Sequence, residues 1–353
     1  MKIGILTFHW ATNYGAVLQT FALQEFLRSA GHNVVIIDYK PKIYDYNLKN
    51  LILVHRLKGY KKYWKDSNKE IAIDRFRKRH LLLSSRCYRT SEISDLAKSL
   101  DVIISGSDQV LNPFFLKNGE GRAIVSPAYY LGFNFEGKRI GYAVSFGCTE
   151  FPKEMTQTAI PFLRNFDSIS VRESSGISIL STLGISDAVL VPDPTILIES
   201  DVYSKLADSS SKLNSEVGTY AFFIRNVKER QQALSEINQD VKWFDAESGI
   251  LVEDWLHNIK HASFVMTDSF HCVVMCLKMH TPFCIITEQK GVVGMNDRFY
   301  TLLGAVGLES RILYKDKISQ SRDYISKAID WESVDEKLST FKEKGVSFLN
   351  TLI

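Results

Sequence analysis

One short segment of the sequence, TDSFH at 267–271, places a carboxylate, a hydroxyl and an imidazole within four consecutive residues. A strand-like apolar run precedes it and a helical apolar run follows, so His271 is predicted in the first turn of the helix. The helix dipole disfavours added positive charge there, and a neutral imidazole can act as a general base or a hydrogen-bond donor. Asp268 or Ser269 could cap the helix. The alternative is a structural histidine whose polar atoms are satisfied within the core.

Two further segments offer an acid and a cation. In GSDQV at 106–110, Asp108 could take a proton from a hydroxyl or bind a sugar hydroxyl, and its structural alternative is an Asx turn or a helix cap. In SVRE at 170–173, the planar guanidinium of Arg172 suits bidentate binding of a phosphate or a carboxylate. The alternative for Arg172 is an ion pair with Glu173 or with another neighbouring acid.

Smaller residues stand at corresponding positions. In TNYGA at 12–16, Gly15 begins a helix and could let a phosphate or a sugar approach the backbone amides. The segment is neither a Walker loop nor GxGxxG, and an ordinary turn glycine is the alternative. The remaining candidate substrate contacts are Asn13, Ser107, Ser145 and Ser269.

All of these segments follow predicted β-strands. The order strand, helix, strand over residues 2–39 predicts a right-handed parallel unit, and the second half of the chain repeats this rhythm. We therefore predict an α/β protein of two Rossmann-like domains, residues 1–195 and 196–353, that face one cleft. Pro192 and Pro194 are expected to form the hinge between them. Ligands are expected at the carboxyl ends of both sheets.

The composition limits the classes of function. The chain has 353 residues, 45% of them apolar and 24% charged, which suits two globular domains. A net charge of +3 gives no argument for nucleic-acid binding. Five cysteines without zinc-site spacing favour free thiols in a reducing compartment, and no HExxH or paired CxxC motif supports a metal site. With no signal-peptide pattern and no apolar run near about 18 residues, we expect a cytoplasmic protein.

Residues 49–86 form a basic helical excursion within the first predicted domain. Lysines and arginines are interleaved there with aromatic residues and with the apolar run 81–83. One interpretation is a solvated helical insertion. The other is a basic amphipathic surface that contacts anionic lipid, or a lipid-phosphate acceptor, at the inner face of the membrane.

Together these segments resemble the polysaccharide pyruvyltransferase family, in the family's order and over most of the chain. The matching segments are GILTFHWATNYGAVLQTFALQEFL (4–27), DVIISGSDQVLNP (101–113), YAVSFG (142–147), ISVRE (169–173), VPDPT (191–195), TDSFH (267–271) and NDRFYTLLGAVGL (296–308). The ordered set is more specific than any single motif. Two positions depart from the family pattern: Cys272 stands where glycine is usual, and Leu111 stands where tryptophan is usual.

The resemblance implies a GT-B-like fold, with phosphoenolpyruvate as the donor substrate and no bound cofactor. The pyruvyl group would pass to sugar hydroxyls of a glycan or a lipid-linked oligosaccharide, forming a cyclic ketal. Arg172, and secondarily Arg298, would bind the phosphate and carboxylate of the donor. His271 would be the general acid or base, and Asp108 a base or a ligand of the acceptor hydroxyl. These two roles could also be exchanged.

Two other functions are compatible with the same residues. The first is a GT-B-type glycosyltransferase that uses a nucleotide sugar, with Arg172 and the loop glycines on the diphosphate. The second is a non-catalytic relative that binds glycan or protein partners, and the departures at Cys272 and Leu111 leave that reading open.

Overall fold

A computed structural model describes residues 1–41, 44, 57–119, 124–210, 217–225, 227–237, 241–246, 249–288 and 296–353. The described chain forms two compact units, each built around one parallel β-sheet. The first unit takes the described residues within 1–55, 77–197 and 341–353, and the second takes those within 56–76 and 198–340. The predicted fold class, two α/β domains with parallel sheets, is confirmed.

The sheet of the first unit has six strands. These are β1 (Lys2–Leu6), β2 (Asn33–Ile36), β3 (Val102–Ser105), β4 (Lys138–Val144), β5 (Ser168–Val171) and β6 (Val189–Leu190). They are all parallel, in the order β2-β1-β3-β4-β5-β6. The helices up to residue 197 are α1 (Tyr14–Ser29), α2 (Leu57–His80), α3 (Thr90–Ala97), α4 (Pro113–Asn118), α5 (Lys153–Leu163), α6 (Ser174–Thr182) and α7 (Pro194–Leu197). Every residue of β3 is buried, as is typical of a parallel strand covered on both faces.

The sheet of the second unit has five strands. These are β7 (Val217–Phe223), β8 (Val241–Asp245), β9 (Ala262–Thr267), β10 (Phe283–Thr287) and β11 (Ile312–Tyr314). They are parallel, in the order β8-β7-β9-β10-β11. The helices after residue 197 are α8 (Ser200–Asp208), α9 (Val227–Ile237), α10 (Val252–Lys260), α11 (Phe270–Lys278), α12 (Asp297–Val306), α13 (Ser321–Ile325) and α14 (Trp331–Leu352). Two short 3₁₀ helices cover Glu309–Arg311 and Lys315–Gln320.

Both sheets reverse their strand order at the equivalent place. In the first sheet β1 lies between β2 and β3, and in the second sheet β7 lies between β8 and β9. At such a switch point the chain connections leave in opposite directions, which opens a crevice at the carboxyl ends of the two central strands. The polar segments after β1, β3 and β9 therefore begin where each fold favours a ligand.

The end of α14 packs within the first unit, although the predicted division after residue 195 gave it to the second. The ring of Phe348 lies 6.1 Å from the ring of Tyr142. The Nζ of Lys138 donates to the carbonyl of Leu352 at 2.9 Å. An amphipathic pattern shows that a helix covers something apolar, but it does not show which sheet the helix covers.

The described part of α2 is amphipathic. Ala72, Ile73 and Phe76 are buried, whereas Ile71 is 68% exposed and Arg75 is exposed. Residues 49–56 of the predicted basic excursion lie outside the described residues. Among the helices that the structure describes, none has both the length and the apolarity needed to cross a bilayer.

A pair of glycines tests how α2 packs in the second unit. Gly249 and Gly184 both have left-handed backbones, with φ of +64° and +78°. A Cβ on Gly249 would lie 2.6 Å from the backbone nitrogen of Lys69 in α2, whereas a Cβ on Gly184 meets nothing within 4 Å. Both alanine variants carry the backbone strain, but only Gly249→Ala also pushes α2 away. We expect Gly249→Ala to lose about 1–3 kcal/mol more unfolding free energy than Gly184→Ala in urea titrations. Equal losses would contradict this packing.

Candidate functional site

The loop after β1 is fixed by polar contacts where it enters α1. Asn13 caps α1, and its Oδ1 accepts from the N–H of Gly15 at 2.8 Å and of Ala16 at 3.4 Å. The backbone amide of Gly15, which the sequence offered to a phosphate, is thus bound to Asn13. The predicted substrate contacts at Asn13 and Gly15 stay predictions, and in this structure both residues build the helix start.

A buried arginine holds the middle of the same loop. Arg77 donates to the carbonyls of His9, Trp10 and Ala11 at 2.7–2.9 Å. The Nε2 of His9 lies 2.9 Å from Oδ1 of Asp38. Burial lowers the pKa of His9, although Asp38 opposes that shift. The sequence analysis does not predict these contacts, because Arg77 is one of many basic residues in the segment 49–86 and nothing in the pattern distinguishes it.

A hydrogen-bond chain crosses the switch point of the first sheet. Gln19 in α1 donates from Nε2 to Oγ1 of Thr7 at 2.9 Å. Thr7 in turn donates to the carbonyl of Ser107 at 2.8 Å. The hydroxyl of Ser107 then donates to Oδ2 of Asp193 at 2.9 Å. The predicted contact residue Ser107 is fully buried, and it links the ends of β1 and β3 to the segment after β6.

Arg172 sits within a ring of three carboxylates. Its NH1 lies 2.9 Å from Asp193 Oδ2, its NH2 3.2 Å from Asp108 Oδ1, and its Nε 3.4 Å from Glu173 Oε2. Its side chain is 1% exposed. Burial alone would lower the pKa of Arg172, but Asp108, Glu173 and Asp193 together raise it above its ordinary value. This is the ion-pair alternative stated for Arg172 in the sequence analysis, and Asp193, which lies between the predicted hinge residues Pro192 and Pro194, is a further partner.

Asp108 is held at both its backbone and its side chain. Its φ is +83°, a left-handed conformation that is costly for a residue with a Cβ and that often marks functional sites. Its carbonyl accepts from the N–H of Val110 at 2.8 Å and of Ser145 at 3.0 Å. Its Oδ1 accepts from the N–H of Gln109 at 2.9 Å. Ser145, another predicted contact, thus supports Asp108 through its amide, and its hydroxyl accepts from the N–H of Gly147 at 3.2 Å.

In the second unit, Asp268 joins the ends of β7 and β9 across the switch point. Its carboxylate accepts from the N–H of Ile224 at 2.7 Å and of Arg225 at 3.1 Å. The guanidinium of Arg230 in α9 also contacts it. Burial raises the pKa of Asp268, and Arg230 and the N–H of Ile224 oppose that shift. Asp268 does not cap α11, so the capping role offered to it by the sequence is wrong.

The same edge carries more cations than the sequence analysis named. Arg230 is 4% exposed, and its NH2 reaches Oε1 of Glu288 at 3.3 Å. Lys315 approaches the other oxygen of Glu288 at 3.1 Å. Burial lowers the pKa of Arg225, although Asp268 opposes the shift. Nothing in the sequence pattern singles out Arg230, because it lies in a charged helical stretch that resembles an ordinary solvated face.

His271 lies in the first turn of α11, as predicted, and is 7% exposed. Its ring meets the ring of Phe270 edge to face at 5.3 Å. The guanidinium of Arg298 lies over the same Phe270 ring at 5.5 Å. Ser269 is the N-cap residue of α11, but its hydroxyl makes no capping hydrogen bond. The structure therefore brings His271 and Arg298 to one aromatic ring.

The two departures from the family pattern lie in the core. Cys272 and Leu111 are both fully buried. The hydroxyl of Tyr130 donates to the carbonyl of Leu111 at 2.5 Å.

Among the described residues, no group of three or more His, Cys, Asp and Glu side chains is arranged to hold a metal ion.

Comparison with known proteins gives a family and a fold. The family model for polysaccharide pyruvyl transferases matches residues 13–290. No curated protein matches the chain significantly. A glycosyltransferase from Rickettsia africae is 10% identical with a TM-score of 0.53, covering 98% of this chain and 93% of its own. A UDP-GlcNAc 2-epimerase from Methanocaldococcus jannaschii is 12% identical with a TM-score of 0.52, covering 99% and 100%. At this identity the structural likeness shows the GT-B-like fold alone.

Removing the Asp268 carboxylate tests how much it contributes to the unfolding free energy. In Asp268→Ala, Arg230 loses a buried counter-charge and two backbone N–H groups lose their acceptor, so we expect a loss of about 3–5 kcal/mol in unfolding free energy. Asp208→Ala is the matched control, because Asp208 pairs with Lys260 at 2.6 Å but is 55% exposed. That pair should contribute about 0–1 kcal/mol. Urea unfolding of both variants at neutral pH measures the difference, and similar losses would contradict the role of Asp268.

Proposed function

The chain belongs to the polysaccharide pyruvyl transferase family, and from that premise we propose that it transfers the pyruvyl group of phosphoenolpyruvate to sugar hydroxyls of a cell-surface or capsular polysaccharide precursor. The family makes the chain a transferase. The product would be a pyruvate ketal, and the acceptor a glycan or a lipid-linked oligosaccharide. The observation that carries the proposal is the cationic edge of the second sheet, where Arg298 and the His271 turn share one aromatic ring.

Phosphoenolpyruvate is a small anion with a phosphate and a carboxylate, so its site needs cations and helix N-termini. Arg225 and Arg298 lie on the second unit, which also places His271 at the start of α11. Arg230 is engaged by Asp268 and Glu288, which suits a supporting cation. We therefore assign the donor to the carboxyl edge of the second sheet. The sequence-based assignment of the donor to Arg172 stays a prediction, and phosphoenolpyruvate binding by variants of Arg172 tests it.

The chemistry assigns roles to the two candidate catalytic groups. Ketal formation protonates the methylene carbon of the donor and develops positive charge at C2, where a sugar hydroxyl attacks. Phosphate leaves, and a second hydroxyl closes the ring. In this proposal His271 is the general acid or base, and Asp108 is a base or a ligand of the acceptor hydroxyl, with exchange of the two roles still open. Each such group typically contributes about 10²–10⁴-fold in rate.

A thermal-shift experiment tests the donor assignment. Ligand binding to the native state alone stabilises by about 2.7 kcal/mol at a hundredfold excess over Kd. We expect phosphoenolpyruvate to stabilise the wild type and Arg322→Ala, an exposed control in the same unit, but not Arg298→Ala. Stabilisation by a nucleotide sugar and not by phosphoenolpyruvate would replace the pyruvyl donor with a nucleotide sugar.

A turnover assay tests the catalytic role of His271. If His271→Ala keeps near-full turnover, His271 has no catalytic role.

We also propose that the exposed face of α2 contacts anionic lipid, where lipid-linked acceptors would be found. Ile71 is 68% exposed and Leu82, just beyond α2, is 46% exposed. Arg75, Lys78 and Arg79 are exposed between them. Apolar side chains flanked by cations suit the interface of an anionic bilayer. The predicted cytoplasmic location stays a prediction.

Vesicle co-sedimentation tests this surface. We expect the wild type to bind phosphatidylserine-containing vesicles at low salt and to be released by high salt, since exposed charges are screened. Ile71→Glu should weaken binding. Ile325→Glu is the matched control, because Ile325 is also an exposed isoleucine, at 40%, on a different helix. Equal binding by the two variants, or no binding by the wild type, would rule out the α2 surface.

A further inference from the structure

We propose that Arg172 is a positioning residue for Asp108 on the acceptor side of the reaction. In this arrangement the guanidinium holds one carboxylate oxygen of Asp108, so that the other oxygen can accept the hydrogen of an acceptor sugar hydroxyl. The inference rests on the proposed function and extends it, because it names the acceptor-binding atom and the group that orients it. It also gives Arg172 a different task from the donor clamp that the sequence suggested.

The burial of the cluster runs from a closed end to an open end. Asp193 has a side-chain exposure of 0%, Arg172 of 1% and Asp108 of 20%. Asp193 anchors the closed end, where it accepts from Oγ1 of Thr195 at 2.7 Å and from Ser107 at 2.9 Å. Arg172 thus connects the buried, fixed carboxylate of Asp193 to the partly exposed carboxylate of Asp108 and restricts the position of Asp108.

The geometry leaves one oxygen of Asp108 for a ligand. Oδ1 accepts from the N–H of Gln109 at 2.9 Å and from NH2 of Arg172 at 3.2 Å. Among the described residues, no hydrogen bond or ion pair involves Oδ2. The left-handed backbone of Asp108, and the two amides that donate to its carbonyl, fix the position of the main chain from which the side chain extends. A carboxylate held in this way presents Oδ2 in one orientation.

The charge of the cluster favours a neutral ligand over an anion. One guanidinium faces three carboxylates within 3.4 Å, so the cluster is anionic as a whole. The donor carries a phosphate and a carboxylate and would be repelled by Asp108, Glu173 and Asp193, whereas a sugar hydroxyl can donate to a carboxylate without such repulsion. Arg172 is also enclosed, and it would have to leave a buried partner to reach a phosphate. Removing one partner of such a buried pair is costly.

The test separates donor binding from acceptor binding. Wild type, Arg172→Gln, Arg172→Lys, Asp108→Asn and Arg164→Gln are compared, the last as a control at an exposed arginine of the same unit. Phosphoenolpyruvate binding is read by thermal shift. Acceptor binding is read by saturation-transfer-difference NMR with the methyl glycosides of glucose, galactose and mannose as probes.

We expect Arg172→Gln and Asp108→Asn to keep the stabilisation by phosphoenolpyruvate and to weaken glycoside binding by about tenfold or more, the usual effect of losing a hydrogen bond to a charged group. Arg172→Lys should restore part of the glycoside binding, and Arg164→Gln should change neither signal. If Arg172→Gln does not fold, Arg172→Lys and Asp108→Asn carry the comparison, since Lys keeps the positive charge.

Three results would overturn the inference. The first is loss of phosphoenolpyruvate stabilisation in the Arg172 variants with glycoside binding unchanged, which would make Arg172 a donor ligand. The second is wild-type glycoside binding that neither Arg172 nor Asp108 variants weaken. The third is no binding of any glycoside by the wild type. Absence of phosphoenolpyruvate stabilisation in the wild type, with the glycoside pattern intact, would instead refute the proposed donor and support the acceptor site.

Discussion

A buried charge must be paired, and both units meet this constraint with an arginine held by carboxylates at the carboxyl edge of the sheet. Arg172 binds Asp193 in the first unit, and Arg230 binds Asp268 in the second. Each pair connects segments that the strand hydrogen bonds do not reach. An unpaired partner at either place would be a charge in a poorly solvated interior, so the arrangement of each edge depends on its pair staying intact.

The cluster around Arg172 and the cluster around Asp268 differ in the sign of their net charge, and this difference suits them to different substrates. Around Arg172 the carboxylates outnumber the cation. Around Asp268 and Glu288, two arginines and Lys315 outnumber the acids. An anionic edge suits a ligand rich in hydroxyl donors, and a cationic edge suits a phosphate or carboxylate. The reaction proposed for this chain needs one substrate of each kind.

Much of this architecture was readable from the sequence, because strands and helices follow local periodicity. The first-turn position of His271 and the strand-end positions of Asp108 and Arg172 follow from that periodicity. The partners do not, because they depend on which distant segment fills the space beside a charge. Asp193 lies in VPDP, where the two prolines predict a break between elements and hide the role of the acid. Arg230 lies in a helix whose charged composition predicts a solvated surface. Asp268 likewise accepts from two backbone N–H groups just after β7, 43 and 44 residues away in sequence, and does not cap its own helix.

The return of α14 to the first unit affects how the protein is made. Gly345 is packed against the hydroxyl of Tyr142, and that hydroxyl donates to the carbonyl of Pro192 at 3.0 Å. These contacts join residues on opposite sides of the whole second unit in chain order. During synthesis, the first unit therefore emerges from the ribosome with this surface of β4 uncovered, and it completes its packing only after residues 341–353 have been translated.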